Sequence, residues 1–284
     1  MKRLGLILTL MAGLALMAPA QIELVVMTYN IRAGKGYHGS DQDPMVGLAQ
    51  IAEVIRAQDA DIVLLQEVDR NVERTGGIDE AAILAEQLGM HHAFAPAIPL
   101  QGGEYGIAIL SRMPIASPES VALPFTDHSQ RHPNLPGYFS EPRVAQIVRV
   151  ASGELELSVI NTHLGLTRDQ RMEQLEEVAD LIHDALVDGR VIFGGDLNAE
   201  PDALELVPVR RLLDDCYHGL QGEDGLRHDI PIRRRLTHPS DDPEVCIDYL
   251  FISRWAIDVL STEVLETTAS DHRPVVTRLS FWGL

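Results

Sequence analysis

Cysteine is scarce in this chain of 284 residues, which contains only Cys216 and Cys246. So small a number excludes a disulfide-stapled scaffold and a zinc site built from paired cysteines. In an exported protein the two thiols could pair, but the sequence does not show whether their Cα atoms lie close enough. A disulfide and two free thiols therefore both stay open.

Basic residues are few as well. The chain has 23 Lys and Arg against 42 Asp and Glu, a formal net charge of −19 at pH 7. An acidic surface repels polyanions, whereas a nonspecific duplex-DNA binder ordinarily presents a basic face. The basic clusters are Arg210-Arg211 and Arg233-Arg234-Arg235, which we interpret as salt-bridged surface groups, with an anion site as the alternative. The charge disfavours a nucleic-acid partner without excluding one.

The one long apolar run lies at the start of the chain. Leu4 to Met17 carries no charge, follows the basic Met1-Lys2-Arg3 and precedes Ala18-Pro19-Ala20, a small-x-small cleavage pattern. The run is short for a membrane span, and no stop-transfer flank follows it. We predict a secretory signal peptide over residues 1–20, a secreted or periplasmic protein without stable membrane insertion, and one globular domain over 21–284. An uncleaved N-terminal anchor is the alternative.

Hydrophobic periodicity predicts many strands and a few helices in the rest of the chain. Strands are expected at 23–29, 61–66, 92–96, 105–111, 143–150, 155–162, 191–193, 246–253, 257–264 and 274–281, and helices at 48–55, 79–88, 172–186 and just after Pro201. Residues 112–142 are expected to mix a strand with a surface loop, and the region up to about 244 to be irregular. Hairpin links between strands indicate an α/β protein with two packed sheets flanked by helices.

One predicted strand leads directly into oxygen-rich side chains. Residues 191–201 read Val-Ile-Phe-Gly-Gly-Asp-Leu-Asn-Ala-Glu-Pro, where the two glycines allow a sharp turn and Pro201 stops the strand. Asp196 and Asn198 stand two positions apart, so in an extended segment both would point into one pocket. The alternative is an Asx turn between a strand and a helix, because these residue types are common turn formers.

Other predicted strands also end on polar side chains. The full set is Asn30, Glu67, His163, Asp196, Asn198, Asp248, Asp271 and His272. A single buried polar residue is more often a satisfied core group than a ligand. Burying several carboxylates together, however, is unfavourable unless a cation and hydrogen-bond donors offset their repulsion. The set therefore indicates a functional pocket.

The residue types in this set favour phosphoryl chemistry. Carboxylate and carboxamide oxygens, with no histidines at zinc-motif spacing, favour Mg²⁺ or Mn²⁺, with Ca²⁺ possible, over zinc. Such an ion polarises a phosphoryl oxygen, and a carboxylate positions or deprotonates water. Imidazoles stabilise the charge that develops in the transition state. The sequence has no G-x-S-x-G elbow, nucleophilic Cys–His signature or P-loop. Direct attack by water is therefore the expected route.

Seven short blocks of sequence carry a family resemblance. They are Met27-Thr28-Tyr29-Asn30-Ile31, Leu65-Gln66-Glu67-Val68-Asp69, Glu104-Tyr105-Gly106, Asn161-Thr162-His163, Gly195-Asp196-Leu197-Asn198, Ile247-Asp248-Tyr249 and Ser270-Asp271-His272-Arg273-Pro274. In their order and spacing these blocks resemble the endonuclease/exonuclease/phosphatase superfamily. That group includes pancreatic deoxyribonuclease, abasic-site endonucleases, neutral sphingomyelinases and inositol polyphosphate 5-phosphatases.

The resemblance implies a fold and a metal site. The implied fold is a four-layer α/β/β/α sandwich of two packed, mostly antiparallel mixed sheets, with the catalytic site at one end and the catalytic domain spanning 21–284. By position in the motifs, Glu67 would be the principal metal ligand. Asn30 and Asp271 would lie near the same ion, which would be Mg²⁺ or one of the alternatives given above.

The resemblance also implies roles for the remaining motif residues. Asp196 would orient or deprotonate the attacking water, while Asn198 and His163 would hold phosphate oxygens. Asp248 would set the tautomer of His272. His272 would then stabilise the pentavalent transition state or assist proton transfer.

Four further positions bear on the substrate. Tyr105 matches a phosphate-contacting tyrosine of the superfamily, and Arg143 matches a basic residue that faces the substrate. Ile107 stands where many bacterial relatives have Asn, and His238 stands where an aromatic residue is common. We expect the last two positions to affect substrate fit rather than chemistry.

The sequence therefore predicts an exported, divalent-metal-dependent phosphoesterase, acting as a monomer, that hydrolyses a P–O bond by in-line attack of water. The acidic charge favours a small phosphodiester, a phosphomonoester or a phospholipid headgroup as substrate. Arg143 and the Arg233-Arg234-Arg235 cluster keep a secreted nuclease as the main alternative. A non-catalytic binding protein on the same fold would require losses among the metal and water-positioning residues, and the sequence shows none.

Overall fold

The structure is a computed structural model that describes residues 22–38, 43–126, 141–221, 227–255 and 257–282. The predicted signal peptide over 1–20 lies outside these residues. The strands are β1 (Ile22–Asn30), β2 (Ile62–Arg70), β3 (His91–Leu100), β4 (Gly103–Ser111), β5 (Ile115–Ala122), β6 (Val144–Ser152), β7 (Leu155–His163), β8 (Arg190–Asp196), β9 (Leu213–Asp215), β10 (Leu220–Gln221), β11 (Arg227–His228), β12 (Asp248–Ser253), β13 (Ile257–Val264) and β14 (Val275–Phe281). The α-helices are α1 (Pro44–Ala57), α2 (Glu80–Leu88), α3 (Arg168–Asp188) and α4 (Val207–Leu212).

Two six-stranded sheets form the centre of the protein. The first, sheet A, has the order β13-β14-β1-β2-β4-β3, and the second, sheet B, has the order β5-β6-β7-β8-β12-β9. Each sheet has one parallel pair, β1 with β2 and β7 with β8, and its other pairs are antiparallel. The prediction of two mostly antiparallel mixed sheets is confirmed.

The central strands of sheet A are buried on both faces, as the four-layer order requires. In β1, Leu24 and Val26 pack into the core between the sheets, whereas Val25 and Met27 pack against α1 and α2. This alternation follows from the two-residue repeat of a strand, whose successive side chains point to opposite faces. On the other side of the molecule α3 supplies apolar residues to the core of sheet B. The order of layers is therefore α/β/β/α.

The helices begin and end where local signals place them. The side chain of Thr167 accepts a hydrogen bond from the backbone of Gln170 at the start of α3, and Asp79 caps α2 in the same way. Helix α2 ends at Gly89, whose φ of 66° lies in the left-handed region that favours glycine. Within the described residues no helix is long and apolar enough to cross a membrane.

A buried amide network joins the two sheets next to the functional end. Gln66 Nε2 of sheet A donates to Asn161 Oδ1 of sheet B at 2.8 Å. Asn161 Nδ2 donates in return to the carbonyl oxygens of Leu65 and Ala108, each at 2.9 Å. Since a buried amide left without partners is costly, this network fixes the register of the two sheets against each other.

Both cysteines are buried free thiols, so of the two open alternatives the structure has the one without a disulfide. Burial raises the pKa of the Cys216 thiol well above its usual range, and it raises the pKa of Cys246 to about 12. Neither thiol is therefore activated as a nucleophile.

Candidate active site

Six of the eight polar strand-end residues line one cleft of about 460 Å³ at one end of the two sheets. Its lining residues are Glu67, Arg74, Ile98, Leu100, Tyr105, Glu141, Arg143, His163, Leu166, Asp196, Asn198, His238, Ile247, Asp271 and His272. The parallel pair β1–β2 ends at this cleft with Asn30, and the pair β7–β8 ends there with His163 and Asp196. Carboxyl ends of neighbouring parallel strands lie at the same edge of a sheet, which explains the convergence.

Glu67 reaches the cleft because β2 is irregular at this residue. The pairing of β2 with β4 shifts register between Gln66 and Val68, and Glu67 has a φ of 55°. A β-bulge of this kind leaves one residue unpaired and changes the direction of its side chain. Gln66 therefore points between the sheets, while the next side chain, that of Glu67, lies in the cleft.

Asn30 bridges two carboxylates. Its Nδ2 donates to Glu67 Oε1 at 3.1 Å and to Asp196 Oδ2 at 3.0 Å, and its Oδ1 accepts from the backbone N–H of Arg32 at 3.1 Å. The hydroxyl of Ser270 donates to the carbonyl oxygen of Asn30 at 2.8 Å. Asn30 therefore fixes Glu67, Asp196 and the segment after Ser270 relative to one another.

Asp196 is a buried carboxylate surrounded by donors. Besides the bond from Asn30, its Oδ1 accepts from the backbone N–H of Asn198 at 3.0 Å. Its Oδ2 lies 3.4 Å from His163 Nε2 and 3.7 Å from His272 Nε2. Burial, followed by the charge of Asp248, raises the pKa of Asp196, so this carboxylate is a stronger base than an exposed aspartate.

The structure corrects the expected geometry of the segment from Gly194 to Asn198. The two glycines lie inside β8, where a Cβ on Gly195 would come within 1.9 Å of the Thr162 carbonyl oxygen, so they permit close packing of strands rather than a turn. The turn comes at Asn198, whose φ is 49°. Asp196 accepts from the backbone N–H of Asn198, which makes the Asx turn of the alternative interpretation, and Asn198 still lines the cleft.

His163 has a defined tautomer. Arg143 Nη1 lies 3.1 Å from His163 Nδ1, and because a guanidinium only donates, Nδ1 must be the acceptor. Burial lowers the pKa of His163 well below its usual range, and the charges of Arg143 and His272 lower it further. The imidazole is therefore neutral, with its proton on Nε2, facing Asp196 and the cleft.

His272 has the opposite charge state. Its Nδ1 lies 2.9 Å from Asp248 Oδ2. Burial acts to lower the pKa of His272, but the carboxylates of Asp248 and Asp196 outweigh burial and raise it. The ring of His238 lies 4.6 Å away, centroid to centroid. His272 is therefore an imidazolium that donates from Nδ1 to Asp248 and presents Nε2–H to the cleft.

The sequence that forms this cleft matches a known protein family. The profile of the Endonuclease/Exonuclease/phosphatase family covers residues 27–272, which include every polar residue of the cleft described above. The chain belongs to this family. The activities in the family's name all hydrolyse phosphoester bonds, so the chain carries the fold of a phosphohydrolase. No curated protein sequence matches the chain significantly.

Solved structures of the family share the fold. An endonuclease/exonuclease/phosphatase from Beutenbergia cavernae is 24% identical, with a TM-score of 0.66 over 92% of this chain and 72% of that one. The human nocturnin catalytic domain, solved with a bound sulfate anion, is 22% identical, with a TM-score of 0.65 over 93% and 97% of the two chains. TDP2 from C. elegans is 20% identical, with a TM-score of 0.64 over 92% and 75%. These likenesses confirm the sandwich fold.

Divalent metals are general in this family, and the donor set of the cleft fits such an ion. The carboxylates of Glu67, Asp271 and Asp196 all line the same cleft. Burial raises the pKa of Glu67, and the nearby charge of Asp271 raises it further. Arg32 Nε, 3.1 Å from Asp271 Oδ2, neutralises one of these charges. A hard cation, which prefers oxygen ligands, would bind these crowded carboxylates and reduce their repulsion.

A second group of acidic and imidazole ligands combines two residues of the cleft with Asp248. Atoms of Asp196, Asp248 and His272 lie within 4.8 Å of one another, as metal ligands do. Asp248 Oδ1 has no hydrogen-bond partner in the described part of the chain. However, Asp248 Oδ2 already accepts from the His272 imidazolium, and Asp248 does not line the cleft. A cation there would have to displace this proton, so the geometry favours the Glu67 side.

Two residues predicted to face the substrate and one that the sequence analysis missed form one wall of the cleft. Arg143 is almost fully buried and lies 3.4 Å from Glu141 through Nη2. Burial and the charge of Glu67 raise the pKa of the Tyr105 hydroxyl well above its usual range, against the charge of Arg143. Tyr105 therefore lies near both of these groups. Arg74 also lines this wall, and only its position five residues after a motif aspartate, Asp69, could have pointed to it.

Glu80, which supports this wall from behind, makes the stability of the protein pH-dependent. Its Oε2 accepts from the backbone N–H of Asp69 at 2.7 Å, while its Oε1 is buried without a partner in the described ranges. Burial, with a further contribution from the charge of Asp69, raises the pKa of Glu80 from 4.5 to about 8. Between about pH 4.5 and pH 8, therefore, Glu80 keeps its proton in the folded state but has lost it in the unfolded state. The stability due to Glu80 is complete below about pH 4.5 and is lost as the pH rises to about 8.

We expect the Glu80→Gln variant to remove this dependence. Between pH 5 and 8 the free energy of unfolding of the wild-type protein should fall by on the order of 2 kcal/mol more than that of the variant. Denaturant unfolding at both pH values measures the difference. Glu86→Gln, on the exposed face of the same helix, is the matched control. Equal pH slopes for wild type and Glu80→Gln would contradict the role given to Glu80.

Proposed function

We propose that this protein is an exported, divalent-metal-dependent phosphoesterase that cleaves a P–O bond by in-line attack of water. The proposal rests mainly on one observation. Asp196, a carboxylate with a raised pKa, lies between the neutral His163 and the cationic His272, in the cleft that also contains Glu67. The arrangement provides a base, a neutral donor and a cationic donor around one point.

In the proposed mechanism Asp196 accepts the proton of the attacking water. Its side chain cannot rotate freely, because Asn30 and the backbone of Asn198 hold both oxygens. The Nε2–H of His163 and the amide of Asn198 hold phosphoryl oxygens. His272, kept cationic by Asp248, donates a hydrogen bond to the charge that develops in the transition state.

The proposed metal site consists of Glu67 as principal ligand, with Asn30 and Asp271 beside it. The carboxylates of Glu67 and Asp271 fit an oxygen-preferring ion such as Mg²⁺, Mn²⁺ or Ca²⁺, while Asn30, whose Nδ2 donates to Glu67, positions the Glu67 carboxylate. A divalent ion bound there would polarise a phosphoryl oxygen and offset the charge of the Glu67, Asp196 and Asp271 carboxylates.

The proposed substrate is a small phosphodiester, a phosphomonoester or a phospholipid headgroup. A cleft of about 460 Å³ is large enough for a molecule of this size. The net charge of −19 also disfavours a long polyanion. The Arg233-Arg234-Arg235 cluster, which kept a nuclease as the alternative, lies outside the cleft. Arg235 is buried and donates to the carbonyl oxygen of Ile230, and none of the three arginines lines the cleft.

A substrate and metal panel tests the proposal. We expect purified protein to hydrolyse bis-p-nitrophenyl phosphate with Mg²⁺ or Mn²⁺, and EDTA to reduce the rate by about a hundredfold or more. Parallel reactions with p-nitrophenyl phosphate, phospholipid vesicles and plasmid DNA at low salt identify the substrate class. Rates that are unaffected by EDTA would contradict the metal site. Degradation of DNA much faster than any small ester would favour the nuclease.

Export is proposed from the sequence alone. Its basis is the basic start, the apolar run to Met17 and the small residues at Ala18 and Ala20. Mass spectrometry of protein recovered from the periplasm or medium should give an N-terminus at Gln21. Recovery of the intact Met1 form in the membrane fraction would favour the uncleaved anchor.

A further inference from the structure

Arg74 is a cation of the cleft that the proposed chemistry does not use. It lies in the short 3-10 helix Glu73–Thr75 that follows β2, and its side chain lines the cleft on the same wall as Tyr105. About a third of the side chain is exposed. A substrate that enters the cleft can therefore reach it.

The guanidinium of Arg74 is paired with a buried carboxylate, that of Asp69. Its Nε and Nη2 donate to the two oxygens of Asp69, each at 2.8 Å, and Asp69 is completely buried. The hydroxyl of Thr75 also donates to Asp69, at 3.2 Å. No described residue accepts a hydrogen bond from Arg74 Nη1. One edge of the guanidinium is thus fixed by a paired carboxylate while the other edge remains available.

Two hydrogen bonds hold the segment that carries Arg74 in place. The turn between β3 and β4 binds it through Gln101, whose side-chain oxygen accepts from the backbone N–H of Arg74 at 2.9 Å. The carbonyl oxygen of Gln101 accepts from the backbone N–H of Glu73 at 3.3 Å. Preorganisation of this kind reduces the entropy lost when a ligand is bound.

The surroundings of Arg74 suit an anionic group attached to an apolar or planar moiety. The guanidinium carbon lies 5.4 Å from the centroid of the Tyr105 ring, and Ile98, paired with Tyr105 in the sheet, also lines the cleft. Arg74 and this apolar wall therefore form a candidate anion subsite within the cleft that also contains Glu67 and Asp196.

We propose that Arg74, positioned by Asp69, binds a second anionic group of the substrate, such as a second phosphate, beside the phosphodiester that is cleaved. This inference rests on the proposed phosphoesterase activity and makes its substrate more specific. Hydrogen bonds from the Arg74 guanidinium to this second phosphate should increase kcat/KM for such a substrate by roughly tenfold. The effect should lie mainly in KM, because Arg74 contacts the group that does not react.

Arg70 offers a matched control. It also pairs with a carboxylate, Glu104, and its guanidinium carbon lies 4.3 Å from the centroid of an aromatic ring, Phe94. It is exposed to the same extent as Arg74 but does not line the cleft. Arg70→Gln therefore removes the same type of interaction without affecting the proposed subsite.

The test compares two esters that differ by one phosphate, thymidine 5′-(p-nitrophenyl phosphate) and the same ester carrying a 3′-phosphate. Wild-type protein should prefer the 3′-phosphorylated ester by roughly tenfold in kcat/KM. Arg74→Gln should lose this preference through a higher KM, Arg74→Lys should retain part of it, and Arg70→Gln should retain all of it. Melting temperatures of the variants show whether each is folded.

The outcomes separate this inference from the proposed function. Turnover of bis-p-nitrophenyl phosphate by the wild-type protein tests the phosphoesterase activity alone, and its absence would overturn both proposals. If the wild-type protein is active but has no preference for the 3′-phosphate, only the anion subsite is overturned. A loss in Arg74→Gln that is equal for both esters, or matched by Arg70→Gln, would show that Arg74 has only a structural role.

Discussion

The Asp196→Asn variant is expected to hydrolyse bis-p-nitrophenyl phosphate about a thousandfold more slowly than the wild-type protein. Asparagine has the same size and can still accept the hydrogen bond from the backbone of Asn198, but it cannot take a proton from water. The loss should therefore lie in kcat with little change in KM. Steady-state kinetics with Mg²⁺ or Mn²⁺ at saturation measures it.

The same substitution should leave the fold intact or stabilise it. Burial and the charge of Asp248 raise the pKa of Asp196, which means that the charged carboxylate is destabilised in the folded state. A neutral amide removes that cost, so the melting temperature should not fall. Asp202→Asn, an exposed aspartate just after Pro201, is the control and should retain full activity. An Asp196→Asn protein with more than about a tenth of wild-type activity would exclude Asp196 as the base.

Glu67→Gln is expected to reduce activity by about a hundredfold or more at a fixed metal concentration. It should also raise the Mn²⁺ concentration needed for half-maximal activity by about tenfold or more, because a neutral amide is a weak ligand for a hard cation. The bulge at Glu67 places this side chain in the cleft, where the charge of Asp271 adds to the demand for a cation. A metal titration of the initial rate measures both changes.

Asp248→Asn should reduce kcat by a comparable factor while leaving the metal requirement unchanged. Without the Asp248 carboxylate the His272 imidazole loses the partner that keeps it cationic, so its donor function weakens. The two variants together locate the ion. If Asp248→Asn shifts the metal titration and Glu67→Gln does not, the ion lies with Asp196, Asp248 and His272 instead.

Much of this fold could be predicted from strand periodicity. Leu24 and Val26 alternate with Val25 and Met27, and this pattern is enough to define a strand buried on both faces. Helix α3 could be predicted from apolar residues at helical spacing and from the glycine that follows it. The short strands β9 to β11 could not, because segments of two or three residues carry no periodic signal and form only through their partners.

The candidate site, like the fold, could be predicted from the sequence only in part. Its residue types and their positions at strand ends are local properties, and the structure brings all eight strand-end residues to one end of the sheets. Seven of them line the cleft or bridge its carboxylates, while Asp248 lies behind His272. Asp196 and Asn198 both line the cleft, but the expectation that the backbone stays extended between them was wrong, since the chain turns at Asn198. Local spacing gives the direction of side chains only while the backbone stays extended.

The sequence by itself determined the layers of the protein and the polar residues of its cleft. Strand periodicity and the residue types at strand ends depend only on neighbouring positions in the sequence. Only the tertiary structure decided the charge of each group. His163 is neutral because it is buried and Arg143 lies against its Nδ1, whereas His272 is cationic because Asp248 lies against the corresponding atom. It also decided that Arg74 reaches the cleft, since Asp69 and the β3–β4 turn hold it there. A pKa and a position in a cleft depend on neighbours that are distant in sequence, and folding alone brings them together.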